Sequence, residues 1–374
     1  MGAASLRETN ASTELPVPFR FVTPLRPDPD TTPFLLAARQ LPSPRIPVWF
    51  MRQAGRSLPE YRAVRGEGTI LDAISDADRA AEITLQPVRR YGVDAAILFS
   101  DIVTPIWAGG FGIDIAPGIG PVCEHPFASA SDLDRLRPLD PSADLDFQTR
   151  TVELLVAELT PQGVPLIGFA GAPFTLASYL IEGRPSREYA KVKALMHGDP
   201  ALWHRLCDRL ADYAITTLTA QVDAGASAIQ LFDSWAGALR PEHYQEFVLP
   251  HSRRIMDAMA PLGVPRIHFG INTGELLSLM AQAGAEVVGV DWRTPLAVAR
   301  ERTGGNVALQ GNLDPALVLA PWSVLERETI RVLEDNAGHP GHIFNLGHGV
   351  LPQSDPDQLA RVVDLVHQQA ADRR

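Results

Sequence analysis

Short apolar runs closed by turn residues recur along the chain, and the gaps between most of them are long enough for a helix. Eight such runs predict strands: Pro47–Met51, Asp94–Ser100, Pro165–Ala170, Ala228–Phe232, Pro265–Gly270, Glu286–Val290, Asn306–Gln310 and His342–Leu346. Amphipathic periodicity predicts helices over Asp76–Tyr91, Asp199–Ala224, Pro241–Ala260, Thr273–Ala283, Pro295–Arg302, Pro315–Asn336 and Asp355–Ala371. Pro87 is expected to kink or end the first of these. Asp314-Pro315 and Thr294-Pro295 each place an N-cap side chain before a proline at the first helical position. Strands alternating with helices predict an α/β fold with a parallel sheet, and eight of them point to a closed (β/α)8 TIM barrel. An open doubly wound sheet is the alternative, but the segment after Met51 lacks the glycine fingerprint that such a sheet carries at its first strand. Gly109–Gly120 fits neither dinucleotide nor P-loop spacing and is read as a mobile loop. Residues 1–30 read as a flexible N-terminal extension, with one barrel domain over 31–374.

Composition narrows the partners. A formal net charge of −11 disfavours nucleic acid and anionic membrane, so an anionic ligand would need a local cationic pocket. No run approaches the roughly 18 apolar residues of a membrane helix, and the first 30 residues carry no export-like apolar core. Cys123 and Cys207 give no disulfide framework, which favours a reducing, cytoplasmic setting. All but two of the 33 basic residues are arginine, the exceptions being Lys191 and Lys193. Neither lysine follows a predicted strand, so Schiff-base chemistry has no placed candidate.

In a barrel of this kind, chemistry gathers at the carboxyl ends of the strands. The first run, Val48-Trp49-Phe50-Met51, is uncharged and is followed by Arg52, Arg56, Arg62 and Arg65. Guanidinium groups there suit a carboxylate, which they can hold through two parallel bonds. Later strands end in Asp101, in the approach to Tyr179, in Asp233-Ser234-Trp235, His268, Asp291, Asn312 and His348. Aromatic residues frame this rim, as a flat and partly apolar ligand would require. On the residues alone, Asp101 also suits a helix cap, Tyr179 a core position and Ser234 a turn. Asp314 is read as a cap.

From residue 45 onward the chain resembles the uroporphyrinogen decarboxylase family. The resemblance rests on MRQAGRSLPEYRAVR at Met51–Arg65, FSDI at Phe99–Ile102, GFAGAPFTL at Gly168–Leu176 with Tyr179, LFDSWAG at Leu231–Gly237, GNLDP at Gly311–Pro315 and FNLGHG at Phe344–Gly349. It implies that Arg52, Arg56 and Arg65 bind substrate carboxylates, with Arg52 and Arg56 joining Asp101 in catalysis. Gln53, Ala54, Gly55, Tyr179, Ser234 and His348 are implied substrate contacts. Ser57 departs from the family's usual aromatic residue after the second arginine. The implied enzyme is a cytoplasmic homodimeric carboxy-lyase that converts the four acetates of uroporphyrinogen III to methyls without cofactor.

Such a reaction suits these residues. A protonated pyrrole ring can accept the electrons released with CO2, so the protein must supply an anion beneath the ring and cations around its edge. Two other readings remain open: a corrinoid-linked methyltransferase of the same barrel superfamily, and a non-catalytic tetrapyrrole carrier. The former binds zinc through His and Cys at strand ends, and neither cysteine here occupies one. The latter would avoid Asp101, which repels carboxylates. Metal is not expected, since a strand at His342–Leu346 would hold His342 and His348 about 20 Å apart.

Overall fold

The computed structural model describes residues 25–55 and 57–371. Its strands, among these residues, are β1 (Ala96–Ile97), β2 (Ile113–Ala116), β3 (Gly120–Cys123), β4 (Leu166–Gly171), β5 (Ala228–Asp233), β6 (Arg266–Gly270), β7 (Val287–Gly289), β8 (Ala308–Gln310) and β9 (His342–Ile343). Seven form one parallel sheet in the order β1-β4-β5-β6-β7-β8-β9. Representative register pairs are Ala96 with Leu166, Leu231 with His268, Val287 with Ala308 and Leu309 with His342. Strands buried on both faces need no polar alternation, which is why continuous apolar runs marked them in the sequence.

The first predicted strand, Pro47–Met51, forms no ladder of its own. It meets β9's continuation through a parallel bridge between Val48 and Phe344. Trp49 N–H donates to Phe344 O at 3.2 Å, and Phe344 N–H to Pro47 O at 2.8 Å. On its other side Asp94 N–H donates to Val48 O at 2.7 Å, so both edges of the curled sheet touch one segment. The Asp94 carboxylate secures the join. It accepts from Val48 N–H at 2.8 Å and from Arg45 Nε at 2.8 Å, and it meets His367 Nε2 at 2.7 Å.

Inside the curl, Phe232 packs edge-on against Phe169 and Phe269, with ring centroids 5.4 and 6.0 Å apart. A Cβ on Gly289 would lie 2.7 Å from the Phe269 ring, so only glycine lets β7 approach. Buried polar groups in this interior satisfy one another. Trp49 Nε1 donates to Gln310 Oε1 at 3.0 Å, and Gln310 Nε2 to Gln230 Oε1 at 2.9 Å.

Several predicted elements differ, for local reasons. Gly109–Gly120 is no open loop: β2 and β3 pair antiparallel as a hairpin, tied down by Cys123 N–H to Gly183 O at 2.8 Å. The helix Ala77–Tyr91 runs through Pro87 and ends only at left-handed Gly92. Pro241–Ala260 divides at Val248 into Pro241–Phe247 and Leu249–Met259, because Pro250 offers no N–H to the preceding turn. Thr273–Ala283 becomes a 3-10 turn and then the helix Leu277–Gln282. Asp314 caps only the 3-10 turn Pro315–Leu319, and the long helix starts at Trp322. Thr294 does not cap its helix. Pro295 is extended, and the carboxylate of Asp335 from the next helix takes the Leu296 N–H. The helices Asp146–Leu159 and Pro173–Glu182 add to the predicted set.

Residues 1–24, most of the predicted extension, lie outside the described residues. Arg26 donates from Nη2 to Val222 O at 2.6 Å, so the described chain is already anchored before residue 31.

Candidate active site

A parallel sheet sends every strand's carboxyl end to the same edge, and seven of these ends plus the exit of Pro47–Met51 form one rim. Arg52 leaves that segment with φ +57°, a left-handed conformation that costs a β-carbon residue free energy. Its neighbours hold it there. Val350 N–H donates to Met51 O at 2.8 Å, and Met51 N–H to Asn345 Oδ1 at 3.0 Å. Gln53 is fully buried, with Phe50 N–H on its Oε1 at 2.9 Å and its Nε2 on Ala95 O at 3.1 Å. The Gln53 side chain therefore faces inward and braces the turn that presents Arg52. Across the rim, Gly349 lies beneath the aliphatic stem of Arg52, where a Cβ would come within 2.5 Å of Cδ.

Asp101 follows β1, half-buried at the rim. Its Oδ1 accepts from Val103 N–H at 3.0 Å, while its own N–H donates to Thr104 Oγ1 at 3.2 Å. The bond to Val103 forms an Asx turn ahead of the helix Thr104–Ala108, so Asp101 does not take the helix-cap role that its sequence position also suits. Gly171, at the end of β4, has Leu176 Cδ2 2.6 Å and Ile102 Cβ 3.1 Å from where a Cβ would sit. That close approach brings the Asp101 loop to the foot of the helix Pro173–Glu182, which carries Tyr179.

Tyr179 is the meeting point. Burial pushes its phenol up to about 12, the Asp101 carboxylate pushes the same way, and Trp235 and the Arg52 guanidinium pull it down. Both charged groups therefore act on one buried hydroxyl that stays protonated at neutral pH. Trp235 packs edge-on to the Tyr179 ring at 6.0 Å, next in the chain to half-buried Ser234. His348, half-buried, stands edge-on to Trp292 at 6.5 Å and adjoins Gly349.

The remaining expectations fall elsewhere or outside. Ala54 is half-buried, and Gly55, at φ +115°, has Tyr61 ring atoms 3.8 Å from where a Cβ would sit. Arg65 ends the helix Pro59–Arg65 and donates to Gly68 O at 3.0 Å, so its guanidinium engages the loop after its own helix. Arg56 lies outside the described residues. Ser57 is buried. His342 is buried, its Nε2 2.9 Å from Gly311 O, and burial lowers its titration to about 4. It shares no site with His348, and among the described residues no group of three His, Cys, Asp or Glu side chains could hold a metal.

Trp235 stands at the strand end where the sequence puts it, whereas Trp292 and the packing of Gly349 on Arg52 go beyond the expectations drawn from it. For Gly349 a signal existed: a glycine on each side of a rim histidine marks backbone approached closely by something else, here Arg52.

The model of the uroporphyrinogen decarboxylase (URO-D) family matches residues 29–369. The chain belongs to that family. A uroporphyrinogen decarboxylase of Salinispora tropica is 58% identical over 344 residues, 92% of each chain. One from Streptomyces griseus is 58% identical over 338 residues, 90% of this chain and 92% of its own. Among solved structures, a methyltransferase from Methanosarcina mazei superposes with a TM-score of 0.74 at 19% identity, covering 91% of this chain and 98% of its own. A B12-independent methionine synthase from Shewanella gives 0.55 at 12% identity, over 87% of this chain and 94% of its own. These last two are similar in fold.

Proposed function

We propose that the protein is a carboxy-lyase that decarboxylates uroporphyrinogen III, converting its four acetate side chains to methyls to give coproporphyrinogen III without cofactor. Family membership across residues 29–369 carries this reading. It is supported by relatives named uroporphyrinogen decarboxylase at 58% identity. The structural observation in its favour is that Arg52, at the exit of Pro47–Met51, and Asp101, at the end of β1, stand on the same rim of the curled sheet as buried Tyr179.

In this reading the macrocycle lies over the rim with Asp101 beneath its pyrrole N–H groups. Protonation of a pyrrole carbon makes that ring cationic. The bond from the carboxylate to the side-chain carbon then breaks, its electron pair flows into the ring and CO2 leaves; a second proton on the exposed carbon completes the methyl, and loss of the first proton from the ring carbon restores the pyrrole. Asp101 stabilises the cationic ring by charge already in place, which needs no reorganisation during reaction. Arg52, with Arg56, anchors the other carboxylates, and Arg65 joins them on exchanging its bond to Gly68 O for substrate. Tyr179 offers a neutral hydroxyl donor, and Ser234, His348 and the 53–55 backbone orient the substrate.

The same reading takes the curled sheet, with Pro47–Met51 joining its two edges, as a closed eight-stranded barrel, and residues 31–374 as one catalytic domain. It takes the working form as a cytoplasmic homodimer acting on neither nucleic acid nor membrane. No helix among the described residues is long and apolar enough to cross a membrane. Anaerobic incubation with uroporphyrinogen III and chromatography of the oxidised products tests the activity. Coproporphyrin III is expected to accumulate; unchanged substrate would overturn the assignment, and intact binding without turnover would favour the carrier.

A further inference from the structure

We propose that Asp233 and Thr175 are positioning residues that lock the Ser234–Trp235 turn against Tyr179. This rests on the reading of Ser234 and Tyr179 as substrate-binding.

Asp233 ends β5 with its side chain fully buried, on the face opposite interior Gln230 and Phe232 and bonded to the helix Pro173–Glu182. Thr175 donates from Oγ1 to Asp233 Oδ1 at 2.8 Å, and the same Oγ1 accepts from Trp235 N–H at 3.2 Å. A hydroxyl has one proton, so giving it to the carboxylate turns a lone pair toward the Trp235 amide and fixes the direction of both bonds. Thr175 and Tyr179 are four residues apart on the helix Pro173–Glu182 and so lie on the same face. One turn of that helix thus holds the backbone of Trp235, and the next meets its indole ring.

The cost of this arrangement argues for a role. The other carboxylate oxygen, Oδ2, has no hydrogen-bond partner, and the nearest charged or titratable nitrogen, His268 Nε2, is 4.0 Å away. Neither ring nitrogen of His268 has a hydrogen-bond partner. Burying such groups half-satisfied is expensive, and apolar side chains of similar size would often pack there without loss. What the carboxylate supplies that an apolar side chain cannot is a strong acceptor that orients the Thr175 hydroxyl. Ordinary sheet–helix packing has no need of it. A binding turn that must sit within about 1 Å of its working place does.

The test compares Thr175→Val, Thr175→Ser and Ser234→Ala in anaerobic steady-state assays on uroporphyrinogen III, with thermal unfolding as a check on the fold. Thr175→Val should raise KM by about tenfold with kcat within about threefold, and Thr175→Ser should restore KM because the hydroxyl returns. If Thr175→Val does not fold, Asp233→Asn, which keeps an acceptor oxygen, should bind near normally while Asp233→Ala shows the raised KM. A wild-type KM in Thr175→Val, or equal impairment in Thr175→Ser, overturns the proposal. A raised KM in Ser234→Ala with none in Thr175→Val leaves the site reading standing and removes the positioning role. The reverse pattern removes Ser234 from the site and keeps the positioning role, acting through Trp235 and Tyr179.

Discussion

The stem of Arg52 lies across Gly349, so near that a methyl group on the glycine would sit 3.1 Å from Arg52 Cβ, 2.8 Å from Cγ and 2.5 Å from Cδ. The contact joins the exit of the first strand-like segment to the loop after β9. It involves the root of the arginine side chain, not its flexible tip, so relief requires moving the whole residue. Arg52 already occupies a left-handed backbone conformation fixed by the Met51–Val350 and Gln53 bonds.

Gly349→Ala should therefore act on Arg52. The guanidinium is displaced from the rim, and a polycarboxylate loses one anchor, raising KM by about tenfold. Raising salt should narrow the gap between variant and wild type, because screening weakens the anchor that only the wild type retains. Steady-state KM at low and high ionic strength measures both effects. An unchanged KM at low salt would show that Arg52 does not grip substrate.

Asp101→Asn should keep the fold, since an amide oxygen can still accept from Val103 N–H. It removes the negative charge that the proposed mechanism places beneath the ring, and turnover should fall by roughly a hundredfold or more, in line with the loss of preorganised charge in other sites. Loss of that charge also removes one of the influences that raise the Tyr179 phenol. Spectrophotometric titration of Tyr179 against a Tyr179→Phe background should show it ionising at lower pH in the variant. Wild-type turnover in Asp101→Asn would exclude the carboxylate from the chemistry.

These two residues also show how far sequence carried the structure. Arg52 and Asp101 could be placed at strand ends because buried parallel strands are continuous apolar runs, legible without any partner. Their neighbours could not. Gln53 adjoins Arg52 in the motif yet faces inward, because the left-handed turn at Arg52 separates the two side chains, and that turn is set by tertiary bonds to Asn345 and Val350. Arg65 points to Gly68 because its helix stops at Gly66, a boundary that the charge pattern alone does not give. Helix breaks at Val248 and Pro321 follow from prolines whose effect depends on position within the helix. Pro87 shows the opposite outcome within a helix that continues. The hairpin β2–β3 escaped detection because its glycines hide the short alternation of Ile113–Ala116 and Gly120–Cys123.

Asp94 makes a prediction about stability, separate from the chemistry. Its nearly inaccessible carboxylate joins Val48, Arg45 and His367, linking the first segment, β1's approach and the last helix. Asp94→Ala leaves the Val48 N–H without its acceptor and Arg45 and His367 without their partner. With Arg45 and His367 partly exposed and able to turn to water, the main loss is the buried Val48 N–H left unpaired, about 2 kcal/mol. Urea unfolding should show the midpoint fall at constant slope, with KM unaffected in the remaining folded enzyme. A loss below about 0.5 kcal/mol would mean that the join is held by the backbone bonds alone.

Acid should destabilise the fold through two buried histidines. Burial lowers His268 and His342 from 6.5 to about 4, so between those values the unfolded chain binds protons that the folded one refuses. Folded pKa values below unfolded ones mean that stability is full above pH 6.5 and declines as pH falls toward 4. Each histidine accounts for on the order of 3 kcal/mol across that window. Asp233 works the other way. Burial raises its carboxyl from 3.8 to about 7, so the folded state takes up its proton first and gains stability as pH falls through that range. It offsets roughly one histidine, leaving a net acid loss set by the other. His342→Gln, whose amide can still donate to Gly311 O, removes one descending contribution and should flatten the profile between pH 6.5 and 4. Asp233→Asn removes the compensating one and should steepen it. Urea midpoints across this range, at fixed ionic strength, measure both slopes, and identical profiles in the two variants would show that these buried groups do not set the acid response.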